Sequence, residues 1–140
     1  MLSTAAIAWL PWRAGSFARA RAEGKPVLLS LAPTWCRHSA SMDSTTFADP
    51  GVATLVNAQF VAIRVDADRR PDIAARYDLG GWPTTAFLTA DGDVLGGGTY
   101  VDPGRLAELL PRVSAAFSRA NRPLSGDATA PRMSMPCSSR

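Results

Sequence analysis

The stretch Val27-Leu28-Leu29-Ser30-Leu31-Ala32-Pro33-Thr34-Trp35-Cys36-Arg37-His38-Ser39 decides how the chain is read. From Val27 to Ala32 it is an apolar run broken only by Ser30, with Pro26 before it and Pro33 after it. This length and these boundaries describe a strand buried on both faces. Cys36 follows just past the end of that run. From Cys36 to Phe47 the spacing of Ala40, Met42 and Phe47 permits a helix, although the serines and threonines between them are weak helix formers. A cysteine where a buried strand gives way to a helix start faces unpaired amides and the dipole of the first turn, which stabilise a thiolate. Arg37 adds a fixed positive charge beside it, and His38 adds another when protonated. The structural alternative is an inert core cysteine, since free cysteine is among the most buried residue types.

Outward from this stretch the chain alternates helix and strand signals. Upstream, Ser16 to Glu23 reads as a short helix capped by Ser16 and ended by Gly24, Lys25 and Pro26. Downstream, Asp49 and Pro50 are placed to cap and open a helix through Val52, Leu55 and Val56, because proline loses nothing at the first helical turn. Phe60 to Val65 is a second strand, and Pro71, Ile73 and Tyr77 form a short helix closed by Gly80 and Gly81. Thr84 to Thr89 and Val94 to Tyr100 pair as a hairpin about Asp91 and Gly92, with Gly96, Gly97 and Gly98 marking a bulge or a close approach. Asp102, Pro103 and Gly104 open a final helix with Leu106, Leu109, Leu110, Val113 and Phe117 on one face, and Pro111 within it predicts a kink or a break. A parallel pair joined by helical crossovers, followed by an antiparallel pair, makes a mixed α/β sandwich. Residues 1–121 form this domain, and 122–140 read as a disordered tail without a periodic apolar face.

Trp35-Cys36-Arg37-His38-Ser39 after a buried strand resembles the thioredoxin Trp-Cys-x-x-Cys site, with Ser39 where the second cysteine stands. Gly81-Trp82-Pro83-Thr84 resembles the cis-proline loop of the same fold, in the expected order along the chain. A closer resemblance, across Trp9 to Tyr100, is to the amino-terminal thioredoxin-like domain of spermatogenesis-associated proteins and their bacterial relatives. It rests on Trp9-Leu10-Pro11-Trp12, Lys25-Pro26, Leu29-Ser30, Met42, Phe47, Asn57, Phe60, Val65-Asp66, Arg70-Pro71-Asp72, Gly80-Gly81-Trp82-Pro83 and Gly97-Gly98-Thr99-Tyr100. The resemblance implies a thioredoxin-like fold, a central mixed sheet flanked by helices. That family continues into a large helical domain absent from this sequence, and usually carries Cys-His-x-Cys-His where Cys36-Arg37-His38-Ser39-Ala40 stands here.

The departures from that pattern narrow the chemistry. With Ser39 in the resolving position, a mixed disulfide at Cys36 cannot be released from within the site, which disfavours dithiol reductase turnover. Monothiol exchange with an external thiol such as glutathione, disulfide isomerisation or capture of a partner cysteine remain, and Ser39 can still donate a hydrogen bond to the Cys36 thiolate. Thioredoxins place a buried acid where Ser30 stands; serine is usual there in the closer family. Pro83 in a cis peptide would leave backbone groups free to pair with an extended peptide, in a groove walled by Trp35 and Trp82. The bland alternative is a core tryptophan and an ordinary turn proline.

Composition bounds the remaining possibilities. A chain of 140 residues with 46% hydrophobic and 19% charged residues is an ordinary globular domain needing neither disulfide nor metal. Its two cysteines, Cys36 and Cys137, are no disulfide framework, and a reducing, cytoplasmic location is the simpler expectation. No secretory signal is expected, because no positive charge precedes the first apolar run and Trp9, Pro11 and Trp12 occupy the cleavage position. No apolar run nears the roughly 18 residues of a membrane helix. Of the net charge of +3, Arg122, Arg132 and Arg140 against Asp127 contribute two in the last 19 residues, and the remaining arginines alternate with acids, unlike a nucleic-acid footprint. Cys36 and His38 are too few for a zinc site, so no metal and no cofactor are expected. Asp66, Asp68 and Asp72 read as turn and cap residues rather than an acid-base cluster, and Gly96 to Gly98 lack a phosphate loop's strand-to-helix context. The expectation is a monomer exchanging disulfides with protein or glutathione thiols through Cys36. The alternative is a peptide-binding or protein-binding module of the same fold without turnover.

Overall fold

The computed structural model describes residues 6–120. Nine elements follow one another: α1 (Ala14–Glu23), β1 (Val27–Ala32), α2 (Arg37–Ser44), α3 (Pro50–Gln59), β2 (Val61–Asp66), α4 (Pro71–Arg76), β3 (Thr84–Leu88), β4 (Val94–Gly98) and α5 (Pro103–Ala120). The four strands form one sheet in the order β2-β1-β3-β4. β1 runs parallel to β2 and antiparallel to β3, and β4 returns antiparallel to β3. The mixed α/β sandwich expected from the element order is the observed one. The expected tail at 122–140, and Cys137 within it, lie outside the described residues.

β1 is central and covered on both faces, which is why its sequence shows an apolar run rather than alternation. Leu28, Ala62 and Phe87 point to one side, into a core closed by Met42 of α2, Val52 and Val56 of α3, and Leu106, Leu110 and Val113 of α5. Leu29, Ile63 and Leu88 point to the other, into a core closed by Ala20 and Ile73 from α1 and α4 with Tyr77. The Asp49 side chain accepts from the Val52 amide at 3.0 Å, with Pro50 in the first turn of α3. Asp102 does the same for the Arg105 amide at 2.8 Å at the start of α5.

One expectation is corrected and another is narrowed. Ser16 does not cap α1: the helix begins at Ala14 with Arg13 at the cap, and the buried Ser16 hydroxyl donates to the Pro11 carbonyl at 2.8 Å. The hydroxyl serves the preceding turn, which folds back over the helix start. Pro111 does not break α5, which continues from Pro103 to Ala120. Pro111 is on the exposed side, while Leu106, Leu110, Val113 and Phe117 hold the opposite face in the core. Gly97, by contrast, marks a close approach as expected. A Cβ built there would lie 2.5 Å from the Thr85 carbonyl oxygen and 2.9 Å from the Ala86 Cα.

Candidate functional site

Cys36 is the N-cap residue of α2, with extended backbone (φ −78°, ψ 119°). Its amide donates to the Pro33 carbonyl at 3.2 Å and its carbonyl accepts from the Ala40 amide at 3.2 Å. The loop from Pro33 to Cys36 thus turns tightly out of β1, and the thiol sits at the helix start, 7% exposed. Leu31 pairs with Thr84, so the register sets the end of β1 beside the start of β3. Pro83, buried, lies at that same end of the sheet, and the Trp82–Pro83 peptide is cis.

The floor under α2 is tied to the β3–β4 side. Met42 is fully buried, with its sulfur 3.8 Å from the Thr85 hydroxyl, which donates to the Thr99 carbonyl at 3.1 Å. Beyond the helix end, the buried Thr46 hydroxyl donates to the Val101 carbonyl at 2.6 Å. The Thr45 hydroxyl lies 3.3 Å from the Tyr100 phenol, and bonding to Thr45 and then Ser41 holds that phenol's pKa below its ordinary value.

A cavity of about 280 Å³ opens beside Cys36 on its β2 flank, between the ends of β1 and β2 and the inner face of α2. Its chemically active lining is Ser30, Cys36, Ser39, Asp43, Arg64 and Asp66. Residues 36, 39, 40 and 43 recur at the spacing of one helix face, which is why Cys36, Ser39 and Asp43 meet there. Arg64 is set opposite Ser30 by the parallel register. Its Nη donates to Asp43 at 2.6 Å, and its guanidinium lies 4.2 Å over the Trp9 ring. Asp66 uses one carboxylate oxygen to accept the Asp68 amide at 2.9 Å.

The sequence-predicted site residues divide into those that line this cavity and those that do not. Cys36 and Ser39 line it together. Arg37 and His38 are exposed on the first turn of α2, and Trp35 is 69% exposed. Trp82 is half-buried against the second core, and neither tryptophan borders the cavity. Asp43, Arg64 and Asp66 were not anticipated as site residues. Helical spacing from Cys36 carries a signal for Asp43; Arg64 and Asp66 depend on strand register, which no local pattern states. Among the described residues no group of three or more histidine, cysteine, aspartate or glutamate side chains is placed to hold a metal ion. No described helix is long and apolar enough to cross a membrane.

A four-stranded mixed sheet with a cysteine capping the helix after its central strand defines a protein of the thioredoxin fold. Among solved structures, a thioredoxin from Thermus thermophilus matches with a TM-score of 0.71 and 23% identity, covering 89% of this chain and 99% of that one. A DsbH oxidoreductase matches at 0.67 and 19%, covering 84% and 90%. More particularly, the chain belongs to the Thioredox_DsbH family, described as a protein of unknown function, DUF255, whose profile matches residues 2–130. Human spermatogenesis-associated protein 20 is 33% identical over 103 residues, 68% of this chain, which bears out the resemblance read from the sequence. The thiol:disulfide interchange protein DsbD of Citrobacter koseri is 36% identical over 78 residues, 54% of this chain. The chain spans only 13% and 14% of the lengths of these two relatives.

Proposed function

We propose that the protein is a monothiol thiol-disulfide exchange protein. The observation that carries this reading is Cys36 at the N-cap of α2 with Ser39, not a second cysteine, facing the same cavity. The Cys36 thiolate attacks one sulfur of a partner disulfide; a new S–S bond forms, the old one breaks, and the partner's other sulfur leaves as a thiolate. The Ser39 hydroxyl cannot reverse this, so an external thiol must complete the exchange. The similarity to a thiol:disulfide interchange protein, DsbD, and to a DsbH oxidoreductase supports thiol-disulfide chemistry of this kind. Such a cycle draws on a pool of free thiol, which fits a reducing compartment such as the cytoplasm.

The test is a reaction of the native full-length chain with glutathione disulfide or a short disulfide peptide, read by mass spectrometry. One adduct at Cys36, absent from Cys36→Ser and reversed by added thiol, is the expected result. Adducts that form at Cys36 only after denaturation would overturn the proposal. The low exposure of Cys36 favours a second reading, a groove that binds an extended peptide without turnover. Peptide binding unchanged by Cys36→Ala would support it.

A further inference from the structure

We propose that the cavity on the β2 flank of Cys36 seats the second thiol of the exchange, a small thiol of amino-acid size carrying both a carboxylate and an ammonium group. This rests on the reading of Cys36 as the attacking thiol and adds where, and in what chemical form, its resolving partner arrives. The strand order β2-β1-β3-β4 puts Pro83 and the cavity on opposite flanks of the segment that carries Cys36. Thiolate attack on a disulfide needs the incoming and leaving sulfurs on opposite sides of the sulfur attacked. A partner held on the β3 flank therefore leaves the β2 flank for the incoming thiol.

The cavity's size and lining define that thiol. At about 280 Å³ it falls just short of the roughly 300–1,000 Å³ of pockets for drug-sized ligands, a volume suited to a compact molecule. Ser30 lines it with only 5% of its surface exposed, and its same-face neighbours are committed elsewhere. Arg64 bonds Asp43, and Thr85 bonds the Thr99 carbonyl beside the Met42 sulfur. Ser30 sets a hydroxyl among these lining groups, where it can bond a polar atom within the cavity. The Arg64 guanidinium is held by the Trp9 ring and by Asp43 through one Nη, so its other donors can receive a carboxylate. Asp66, whose side chain is 27% exposed, supplies a carboxylate for an ammonium group; its neighbours are the Asp68 amide on one oxygen and the exposed Arg69 guanidinium 3.9 Å from the other.

The cycle balances. The seated thiolate attacks the Cys36 sulfur of the mixed disulfide, an S–S bond to the small thiol forms, and the partner sulfur leaves as a thiolate. A second molecule of the same thiol attacks that small-thiol disulfide, freeing the Cys36 thiolate. Two small thiols are oxidised to their disulfide, and the partner's disulfide is reduced by the two electrons released.

The experiment uses the full chain carrying Cys137→Ala, which leaves Cys36 as its one thiol. Cys36 is first loaded with a short peptide activated as its thiopyridyl disulfide, and release of thiopyridone reports the loading. The loaded protein is then chased with L-cysteine or with uncharged β-mercaptoethanol at matched thiolate concentrations. The expected result is a saturable rate for L-cysteine, about tenfold above β-mercaptoethanol at low concentration, with a Cys36–cysteine disulfide as the transient. Arg64→Gln and Asp66→Asn should each remove most of that preference, read in each variant as the ratio of its L-cysteine rate to its own β-mercaptoethanol rate. Ala40→Leu, at an exposed position on the cavity lining, should do the same without touching a charged group. Loading at Cys36 followed by equal, non-saturating rates for both thiols would overturn the seat while the exchange reading stands. Failure of native Cys36 to load would overturn the exchange reading and the seat with it.

Discussion

Arg64 on β2 reaches Asp43 on α2 through a 2.6 Å hydrogen bond, and this pair fastens the helix that carries Cys36 to the far strand of the sheet. Both side chains are well exposed, so the ion pair itself is weak, of the order of 0.2–1 kcal/mol. Arg64 also covers the Trp9 ring at 4.2 Å, a contact worth about 0.5–1 kcal/mol at an exposed site. Arg64→Ala should therefore lower unfolding free energy more than Asp43→Ala does. A double-mutant cycle by urea denaturation should return a coupling below about 1 kcal/mol. Equal losses from the two single variants would show that the stacking on Trp9 contributes nothing.

A second tether lies just past the same end of α2, where the fully buried Thr46 hydroxyl donates to the Val101 carbonyl at 2.6 Å. Thr46→Val keeps the shape and deletes the donor, leaving a carbonyl without its partner. The expected cost is about 1–3 kcal/mol, read as a lower urea midpoint with an unchanged slope. Thr46→Ser retains the bond and should recover most of that loss. If valine and serine behave alike, the hydrogen bond is not what holds this joint.

Much of this architecture is legible from the chain itself, for reasons that particular residues make plain. Val27 to Ala32 reads as a buried strand because both of its faces are covered, and Asp49-Pro50 reads as a helix start because the cap and the missing amide are local chemistry. Cys36 and Ser39 fall together because helical spacing alone brings them to one face. Ser16 misleads for an equally physical reason: a serine near a helix start has two local acceptors of its proton or donors to its oxygen, and here the Pro11 carbonyl takes it. Arg64 and Asp66 lie beyond local reading, because a parallel register formed across two intervening helices delivers them beside Ser30 and Ala32.

Gly97 and Gly98 are neighbours in sequence with opposite demands. A Cβ at Gly97 would meet the Thr85 backbone oxygen at 2.5 Å, and backbone in a sheet cannot step aside as a flexible side chain does. Gly98 has nothing within 4 Å of the same position. Gly97→Ala should destabilise by about 1–3 kcal/mol or more, whereas Gly98→Ala should stay within about 0.5 kcal/mol. Thermal unfolding of the two variants side by side decides this; similar shifts for both would mean that β4 moves away from β3 freely enough to accept a side chain.

Tyr77, 2% exposed, donates its hydroxyl to the Gly92 carbonyl at 2.6 Å and so pins the β3–β4 turn to the end of α4. Burial pushes this phenol above its ordinary pKa, with the Arg76 charge opposing and the Asp93 charge adding to the rise. A raised folded-state pKa means that the folded protein holds the proton more tightly than the unfolded chain does. The resulting stability is fully present below the ordinary tyrosine value near 10 and is lost as pH rises through the folded value. Urea midpoints measured from neutral pH to above pH 10 should therefore fall on the alkaline side. Tyr77→Phe should start about 0.5–1.5 kcal/mol lower at neutral pH, having lost the bond to Gly92, and then fall less steeply. Tyr100→Phe should keep the steep alkaline loss, since bonding to Thr45 lowers that phenol's pKa and gives it the opposite sign. An alkaline slope that survives in Tyr77→Phe and vanishes in Tyr100→Phe would reverse this assignment.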